Sequence, residues 1–176
     1  DSHIGSYLGK RLCESGYIVI GTSRNINKIE SNKFLLYLDL VDLNFSELAP
    51  IHPDVVVFCA GINGYEACHC DPAMAVQVNV LSPLKIVEHF IAKNSTIIFL
   101  SSTSAVGLKS KNAILKEYCT PLNVYGSLKR TMELSLLALN ERIDSTIIIL
   151  RLTKVIDTSF GIIKFWLQGH KSIDDI

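Results

Sequence analysis

Short, uninterrupted apolar segments alternate with longer amphipathic stretches along most of the chain. The apolar segments are rich in Val and Ile and lack polar alternation, which is typical of strands covered on both faces; they occupy positions 17–21, 34–38, 55–60, 96–100 and 146–150. Apolar residues recur at helical spacing in three stretches, at 4–15, 74–93 and 124–140. Alternating strands and helices of this kind predict a parallel sheet with helices on both faces.

The predicted fold class is α/β, with a doubly wound parallel sheet of the Rossmann type. In such a sheet the first strand lies in the middle, but this sequence opens directly with a predicted helix. If this central strand were missing, the edges of two neighbouring strands would be exposed. We therefore expect a short apolar strand before residue 1. The pattern completes a nucleotide-binding type of domain over residues 1–160. Residues 161–176 are interpreted as the start of a truncated substrate-binding portion.

Composition excludes several classes of protein. The 176 residues are 48% hydrophobic and 19% charged, which suits one globular domain with a sizeable core. Lys and Arg (17) balance Asp and Glu (17), so the basic excess of a nucleic-acid-binding protein is missing. The longest apolar segment, 55–60, is far shorter than the roughly 20 residues that span a bilayer. We therefore expect neither nucleic acid nor membrane as a partner.

The chain contains five cysteines, an odd number in a sequence too large to need disulfides. Free thiols in a reducing compartment are the better interpretation. The sequence Cys68-His69-Cys70 raises the question of a metal site. Because no second Cys/His pair stands at ligand spacing, no metal site is predicted.

Residues suited to a dinucleotide stand at the first predicted helix and just after the next strand. Ile4-Gly5 resembles the remainder of a glycine-rich phosphate turn at a helix N-terminus. The segment 17–21 is followed by Thr22-Ser23-Arg24, where an NAD-binding domain would place an acid for the ribose hydroxyl. An arginine there suits a 2′-phosphate, so NADP is favoured, with NAD as the alternative cofactor. A solvated surface arginine is the other interpretation of Arg24.

Further candidates follow the next two strands, whose carboxyl ends meet at the crevice of a parallel sheet. They are Asp39-Leu40 and Ala60-Gly61. Asp39 is equally explained as a cap of a turn or helix. Asn79 is a polar residue on an otherwise apolar helical face. It is interpreted as a cofactor contact, as a buried asparagine that bonds backbone carbonyls, or as both.

The strongest local signal is the pair Tyr125 and Lys129, four residues apart on one predicted helix face. A lysine so placed is expected to lower the pKa of the phenol, so that the tyrosine exchanges a proton with a substrate oxygen during hydride transfer. Ser101, Ser102 and Thr103 stand at the end of the preceding strand and supply a hydroxyl for the same oxygen. Tyr125 and Lys129 are therefore the predicted catalytic pair, with one of these hydroxyls as their partner.

With these motifs the whole chain resembles the extended short-chain dehydrogenase/reductases, and most of all the dTDP-4-dehydrorhamnose reductase branch. The most specific match is the segment 121–129 together with Glu133. Other matches lie throughout the sequence: Ile4-Gly5, Gly21-Thr22-Ser23-Arg24, Leu38-Asp39-Leu40, Cys59-Ala60-Gly61, the stretch from Asp71-Pro72 to Val80, Leu100-Ser101-Ser102, and the strand led by Arg151.

The resemblance implies a role for each matched residue. Tyr125 would be the general acid, Lys129 would bind the nicotinamide ribose and lower the tyrosine pKa, and Ser102 would be their partner, with Thr103 as the fallback. The implied cofactor contacts are Gly5 at the pyrophosphate, Arg24 at the 2′-phosphate, Asp39 and Leu40 at the adenine, and Ala60 and Gly61 at the phosphates and ribose. Ile4, Ser23, Asn79, Ser101, Tyr125 and Lys129 complete the predicted cofactor-binding residues.

The implied function is an NADP-dependent oxidoreductase that acts on a nucleotide-activated sugar, reducing a 4-keto group in the cytoplasm, with a homodimer as a further expectation. Two departures keep other functions open. Ser2 replaces the usual glycine three residues before Gly5, and Thr103-Ser104 replaces the Asp-Tyr pair of the reductase branch. The alternatives are a sugar-nucleotide epimerase or dehydratase, and a regulatory subunit that binds the dinucleotide without turnover.

Overall fold

The computed structural model describes residues 2–107, 121, 123–140, 146–153 and 155. The elements in chain order are α1 (His3–Glu14), β1 (Gly21–Ser23), α2 (Ile26–Glu30), β2 (Leu35–Tyr37), β3 (Val55–Phe58), α3 (Tyr65–Cys70), α4 (Pro72–Val76), α5 (Ser82–Ile91), β4 (Thr96–Ser102), α6 (Val124–Asn140) and β5 (Ile147–Leu152). A π-helical turn, Gln77–Leu81, joins α4 to α5, and a 3₁₀ turn, Thr103–Ala105, follows β4.

The described strands form two sheets, and every strand pair within them is parallel, which confirms the predicted α/β class. β1 pairs with β2, and β4 lies between β3 and β5, with Ile98 opposite Val57 on one side and Ile148 on the other. In the described part of the chain, β1 and β3 each have one edge without a partner strand. These are the two edges that the strand expected before residue 1 would join, and that strand remains a prediction.

Four of the five apolar segments contain a strand at the expected place, whereas the first is displaced. The sequence predicts a strand over 17–21, but β1 begins only at Gly21, where its amide donates to the Phe34 carbonyl oxygen at 2.9 Å. Ile18, in the middle of the predicted strand, is 93% exposed. The prediction fails here because, among the described residues, β2 is the only strand beside this segment and its ladder starts at Gly21.

The main core lies on one face of the β3–β5 sheet. Ile97 and Phe99 of β4 point into it, and α5 and α6 cover them with Val87, Met132 and Leu136. The continuous apolar segments predict that helices cover both faces of the sheet. On the opposite face the described residues cover the sheet only in part. There β4 is half-buried, and β5 leaves the side chains of Ile148 and Leu150 exposed.

The single helix predicted over 74–93 is interrupted by the π-helical turn. Pro83 has no amide hydrogen to donate to the carbonyl of Asn79, and its ring crowds that carbonyl in a regular helix. A wider turn immediately before the proline relieves both conflicts. The same turn carries Asn79, which is buried, and π-helical turns are frequent at functional sites.

Gly126, in the first turn of α6, sets how closely that helix approaches β4. A Cβ atom at this position would overlap the backbone carbonyl of Ser104 in the 3₁₀ turn. Only glycine therefore permits this contact. It brings Tyr125 next to the end of β4, where the candidate chemistry lies.

Candidate active site

A cleft of about 180 Å³ opens where the carboxyl ends of β3, β4 and β5 meet the first turns of α1 and α6. Parallel strands direct their carboxyl ends to one edge of a sheet, and this is the position at which open α/β sheets bind ligands. The lining side chains are mixed in character: Ser2, Ile4, Phe58, Cys59, Ala60, Asn63, Leu100, Ser101, Ser102, Tyr125, Lys129, Leu152, Thr153 and Val155.

The three predicted catalytic residues lie together in this cleft. Ser102 and Tyr125 line the cleft together, and Ser102 is near enough to act on the pKa of the Tyr125 phenol. The Ser102 hydroxyl accepts from the Ser104 amide at 3.2 Å. Lys129, one helical turn after Tyr125, places its ammonium 5.8 Å from the centroid of the tyrosine ring. Thr103, the fallback for Ser102, is not among the lining residues. The geometry therefore favours Ser102 as the hydroxyl partner of Tyr125.

Burial keeps the Tyr125 phenol protonated. Loss of solvent raises the pKa of Tyr125, Ser102 opposes this, and Cys68 adds to it, so the net direction is upward. The predicted lowering of this pKa by Lys129 is wrong for the described arrangement. The reason is that the ammonium is directed at the Leu100 carbonyl, to which it donates at 2.8 Å, and not at the phenol oxygen.

Lys129 is itself strongly affected by its surroundings. The side chain is buried, and its ammonium lies 4.8 Å from the centroid of the Phe99 ring. Burial lowers the pKa of Lys129 to about 8, although Cys68, Cys59 and Glu133 act in the opposite direction. A buried amine with a pKa near neutrality is a feature that occurs often at functional sites.

The N-terminus of α1 forms the wall opposite Tyr125. Ser2 is the N-cap residue, and its Oγ accepts a hydrogen bond from the Gly5 amide at 3.1 Å. The serine that replaces the expected glycine therefore has a clear local role. A Cβ atom on Gly5 would lie 3.1 Å from the Cβ of Cys59, so glycine permits α1 to approach the end of β3 closely.

Asn79 secures the loop that follows β3. Its carboxamide accepts from the Ile62 amide at 2.8 Å and donates to the Ile62 carbonyl at 2.9 Å. A third contact runs from Asn79 to the buried Cys68 sulfur at 3.8 Å. This confirms the interpretation of Asn79 as a buried asparagine bonded to backbone. Its contact with a cofactor stays a prediction.

The residues predicted at the far end of a dinucleotide follow β1 and β2. Ser23 is buried and accepts from the Asn25 amide at 3.0 Å, while Arg24 is exposed. Asp39 accepts from the Val41 amide at 2.9 Å, as a turn-capping residue does. The Leu40 carbonyl is held by the Ser82 hydroxyl of α5 at 2.6 Å. The turns after β1 and β2 are thus shaped by local hydrogen bonds.

The cleft gathers about half of the predicted site. The predicted residues that line it are Ile4, Ala60, Ser101, Ser102, Tyr125 and Lys129. Gly5 lies beside it against Cys59. The predicted residues outside its lining are Ser23, Arg24, Asp39, Leu40, Gly61 and Asn79. Residues 161–176, assigned to a second portion, lie outside the described part of the chain.

Sequence reasoning missed four polar residues that line the cleft, namely Ser2, Cys59, Asn63 and Thr153. Three of them carried a usable signal, because Cys59 and Asn63 follow β3 and Thr153 follows β5, at the carboxyl ends of parallel strands. Glu133 was also noted only as part of a motif. In the sequence, a charged residue stands between the apolar residues Met132 and Leu136 of a predicted helix. That position was the signal of a buried hydrogen-bond network.

Other site types find little support in the described residues. They contain no group of three or more His, Cys, Asp or Glu side chains arranged to hold a metal ion. None of the helices that the structure describes is long and apolar enough to cross a membrane. Cys13, Cys59, Cys68 and Cys70 are all free thiols.

Comparison with known proteins identifies the family of this chain. The model of the family described as "NAD dependent epimerase/dehydratase family" matches residues 2–158. Among curated proteins, no sequence matches significantly.

Solved structures match over most of the chain at low identity. UDP-glucuronic acid 4-epimerase from Bacillus cereus, in complex with NAD, is 23% identical, with a TM-score of 0.71 over 95% of this chain and 61% of its own. L-threonine 3-dehydrogenase from Trypanosoma brucei is 20% identical, with a TM-score of 0.77 over 90% and 52%. RMD from Pseudomonas aeruginosa, complexed with NADPH, is 22% identical, with a TM-score of 0.57 over 72% and 48%.

At these identities the structural likeness concerns the fold, and the chain spans about half the length of the matched structures. It supports the α/β fold. The match of the family model over 157 of 176 residues (2–158) carries the assignment itself. The chain belongs to the NAD dependent epimerase/dehydratase family.

Proposed function

We propose that the protein is an NADP-dependent oxidoreductase that acts on a nucleotide-activated sugar, with Tyr125 as the residue that exchanges a proton with the sugar oxygen. The observation that carries the proposal is that Ser102, Tyr125 and Lys129 line one cleft at the carboxyl ends of the strands. The N-terminus of α1 borders the same space. The cleft thus combines a proton donor, a second hydroxyl and a cation at one point.

The residues present fit a nicotinamide dinucleotide. Gly5 lies in the first turn of α1 beside the cleft, where the positive end of the helix favours a phosphate. Ser2 already accepts from the Gly5 amide, so this wall has one amide fewer to offer than a bare glycine turn. Lys129 and Ser102 supply donors for hydroxyl groups of a ribose or a sugar. The dinucleotide supplies the hydride.

The reduction of a carbonyl requires a proton at the oxygen while the hydride arrives at the carbon. The raised pKa of Tyr125 keeps its phenol protonated at neutral pH, which suits a donor. Ser102 would hydrogen-bond the same substrate oxygen and hold it within reach. As the proton leaves, a phenolate would form on Tyr125, and Ser102, which acts to lower the pKa of Tyr125, would stabilise it.

Epimerisation is the second candidate function. Inversion at a sugar carbon requires an oxidation followed by a reduction, and the same three residues would serve both steps. The observation in its favour is that UDP-glucuronic acid 4-epimerase and UDP-glucose 4-epimerase are among the structures that share the fold. The dTDP-4-dehydrorhamnose reductase branch remains a finer proposal, which rests on the motif at 121–129.

The first experiment tests the cofactor. The full chain is titrated with NADPH and with NADH, following nicotinamide fluorescence, in the original sequence and in Arg24→Ala. We expect NADPH to bind more tightly and Arg24→Ala to weaken NADPH alone by about tenfold or more, as expected for a lost hydrogen bond to a charged group. Arg11→Ala, which removes an exposed arginine of α1, is the matched control. Equal binding or no binding of the two nucleotides would contradict the cofactor assignment.

The second experiment tests the reaction. Keto-sugar nucleotides are assayed for NADPH consumption, and UDP-sugars are assayed for epimer formation by NMR. L-threonine, as a non-sugar substrate, is assayed for reduction of NAD⁺ or NADP⁺. We expect Tyr125→Phe to lower turnover by about 10²–10⁴-fold while NADPH binding persists. Binding without turnover of any substrate would favour the regulatory subunit instead.

Three further expectations complete the proposal. Residues 1–160 would form the dinucleotide-binding domain, and 161–176 would begin the portion that selects the sugar. A homodimer and a cytoplasmic location follow from the resemblance to the reductases. Gel filtration with light scattering tests the first of these two, and cell fractionation tests the second.

A further inference from the structure

Glu133 is a charged residue that lies fully buried among apolar side chains of the core. Its side chain is 0% exposed, as are those of the neighbouring Met132 and Leu136. Moving a carboxylate out of water is costly unless its oxygens are fully bonded. A leucine or methionine at this position would pack with the same neighbours without that cost. The charge therefore points to a role other than filling space.

Both oxygens of the Glu133 carboxylate are fully bonded by three different elements. Oε1 accepts from the Ser101 hydroxyl of β4 at 2.6 Å and from Arg151 Nε of β5 at 2.9 Å. Oε2 accepts from a second Arg151 nitrogen at 2.9 Å and from Arg130 of α6 at 3.0 Å. The two-point contact with Arg151 fixes the relative direction of helix and strand, because the guanidinium is planar and rigid.

The same helix face carries the candidate catalytic residues at regular intervals. Tyr125, Lys129 and Glu133 follow one another at spacings of four, so they lie one turn apart. Their partners are three neighbouring residues of β4: Lys129 donates to the Leu100 carbonyl, Glu133 accepts from the Ser101 hydroxyl, and Tyr125 shares the cleft with Ser102, which acts on its pKa. Of the three contacts, that of Glu133 is the most deeply buried and the only one reinforced by two arginines.

We propose that Glu133 is a positioning residue, which fixes the register of α6 on β4 and β5 and thereby holds Tyr125 against Ser102 and Lys129 against the Leu100 carbonyl. Buried ionic groups are best attested in setting register, because a slipped arrangement leaves a charge without partners. The catalytic meaning of this positioning rests on the proposed function. The positioning itself does not.

The test compares two substitutions of the same kind at two places. Glu133→Gln removes the buried charge, while Glu14→Gln removes an exposed glutamate of α1 that also pairs with an arginine three residues away, Arg11 at 3.0 Å. The titrations of Lys129 and Tyr125 are followed by NMR in the full chain, with ¹³C labels at Lys Cε and Tyr Cζ. The two signals are assigned with Lys129→Met and Tyr125→Phe. No nucleotide is added.

In Glu133→Gln we expect the pKa of Lys129 to fall, because a negative charge nearby is lost, and the pKa of Tyr125 to rise, because Ser102 moves away from the phenol. A fall of one unit from a pKa of about 8 would increase the neutral fraction of Lys129 at pH 7 roughly fivefold, from about one tenth to about one half. Glu14→Gln should leave both titrations as they are. If Glu133→Gln also leaves both unchanged in a folded protein, the proposal is wrong.

Two milder variants keep the test decisive if Glu133→Gln does not fold. Ser101→Ala removes one of the four hydrogen bonds, and Arg151→Lys keeps the charge but loses the two-point contact. We expect both to raise the pKa of Tyr125 and to weaken NADPH binding severalfold. If both lower the melting temperature and neither moves the titration of Tyr125, the network is merely structural and the proposal is overturned.

This design separates the inference from the proposed function. The titrations are measured without nucleotide, so their outcome does not depend on whether the protein binds NADPH or turns over a sugar. A protein that fails to bind NADPH but shows the expected shifts would disprove the proposed function and leave the positioning role intact. The reverse result would keep the function and remove Glu133 from it.

Discussion

The described part of the chain contains two regions that share one architecture and differ in packing. In the N-terminal region, comprising α1, β1, α2 and β2, neither helix has a buried residue, and both strands are three residues long. In the C-terminal region, comprising β3 to β5 with α5 and α6, β4 has seven residues and α6 buries seven. Alternating strands and helices therefore do not by themselves determine how well a region is packed.

The difference matches the two tasks proposed for the site. Tyr125, Lys129 and Ser102 belong to the packed region, where a proton transfer depends on positions held to within a fraction of an ångström. Ser23, Arg24 and Asp39, expected at the far end of the dinucleotide, belong to the thinly packed region. There the shape of the chain rests on local caps and turns, such as Asn25 at the start of α2.

The largest expected effect comes from the same substitution in the two regions. Leu136→Ala removes a fully buried side chain of α6, and we expect it to lower the free energy of unfolding by about 2–5 kcal/mol. Leu12→Ala, in the half-buried part of α1, should lower it by about 1 kcal/mol or less. Urea denaturation of the full chain measures both. Equal losses would show that α1 is packed as firmly as α6 and would remove the contrast.

A second effect comes from pH, because burial in the packed region lowers the pKa of Lys129 to about 8 from 10.5. Between these two values the unfolded chain binds more protons than the folded one, so this lysine makes stability rise as the pH rises. The difference between the two pKa values corresponds to about 3 kcal/mol at most.

The matched measurement compares unfolding of the original chain with that of Lys129→Met from pH 7 to pH 10. The original chain should gain stability relative to the variant across this window, because the titrations of other groups largely cancel in the comparison. Lys10→Met, which removes an exposed lysine of α1, is the control. A constant difference between the original chain and Lys129→Met would contradict the burial effect.

Local sequence patterns were sufficient for the features that depend on near neighbours. The spacing of Tyr125 and Lys129 places both on one helix face. The helical spacing of apolar residues over 124–140 matches α6, which buries Leu128, Met132 and Leu136. The turn-capping alternative for Asp39 is confirmed as well, since its partner is only two residues away.

Features that depend on distant partners were not predictable in this way. Glu133 bonds residues 32 positions before it and 18 positions after it, and Asn79 bonds Ile62, 17 positions away. The raised pKa of Tyr125 likewise follows from burial, which the spacing of Tyr and Lys does not contain. Neither these pairings nor that burial is encoded by a repeat or a fixed interval.

The sharpest comparison uses one substitution that should act with opposite sign in the two regions. Gly126→Ala, in α6, places a methyl group against the Ser104 carbonyl, which is backbone and cannot move aside cheaply. We expect a loss of about 1–3 kcal/mol, as for other overpacked sites. Gly9→Ala, in α1, meets only the Val19 side chain, at 3.8 Å, an ordinary contact distance. Because alanine favours a helix over glycine, we expect a gain of about 0.5–1 kcal/mol.

Thermal and urea unfolding of the two variants measure this difference, and NMR of Tyr125 adds a local readout. Because Gly126→Ala pushes α6 away from the end of β4, it should also move Tyr125 away from Ser102 and raise the pKa of Tyr125 further. Gly9→Ala should stabilise α1 and leave the titration of Tyr125 unchanged. If Gly126→Ala is tolerated and the Tyr125 titration stays the same, α6 is free to shift on the sheet. The close approach of helix and strand would then be too loose to position a proton donor.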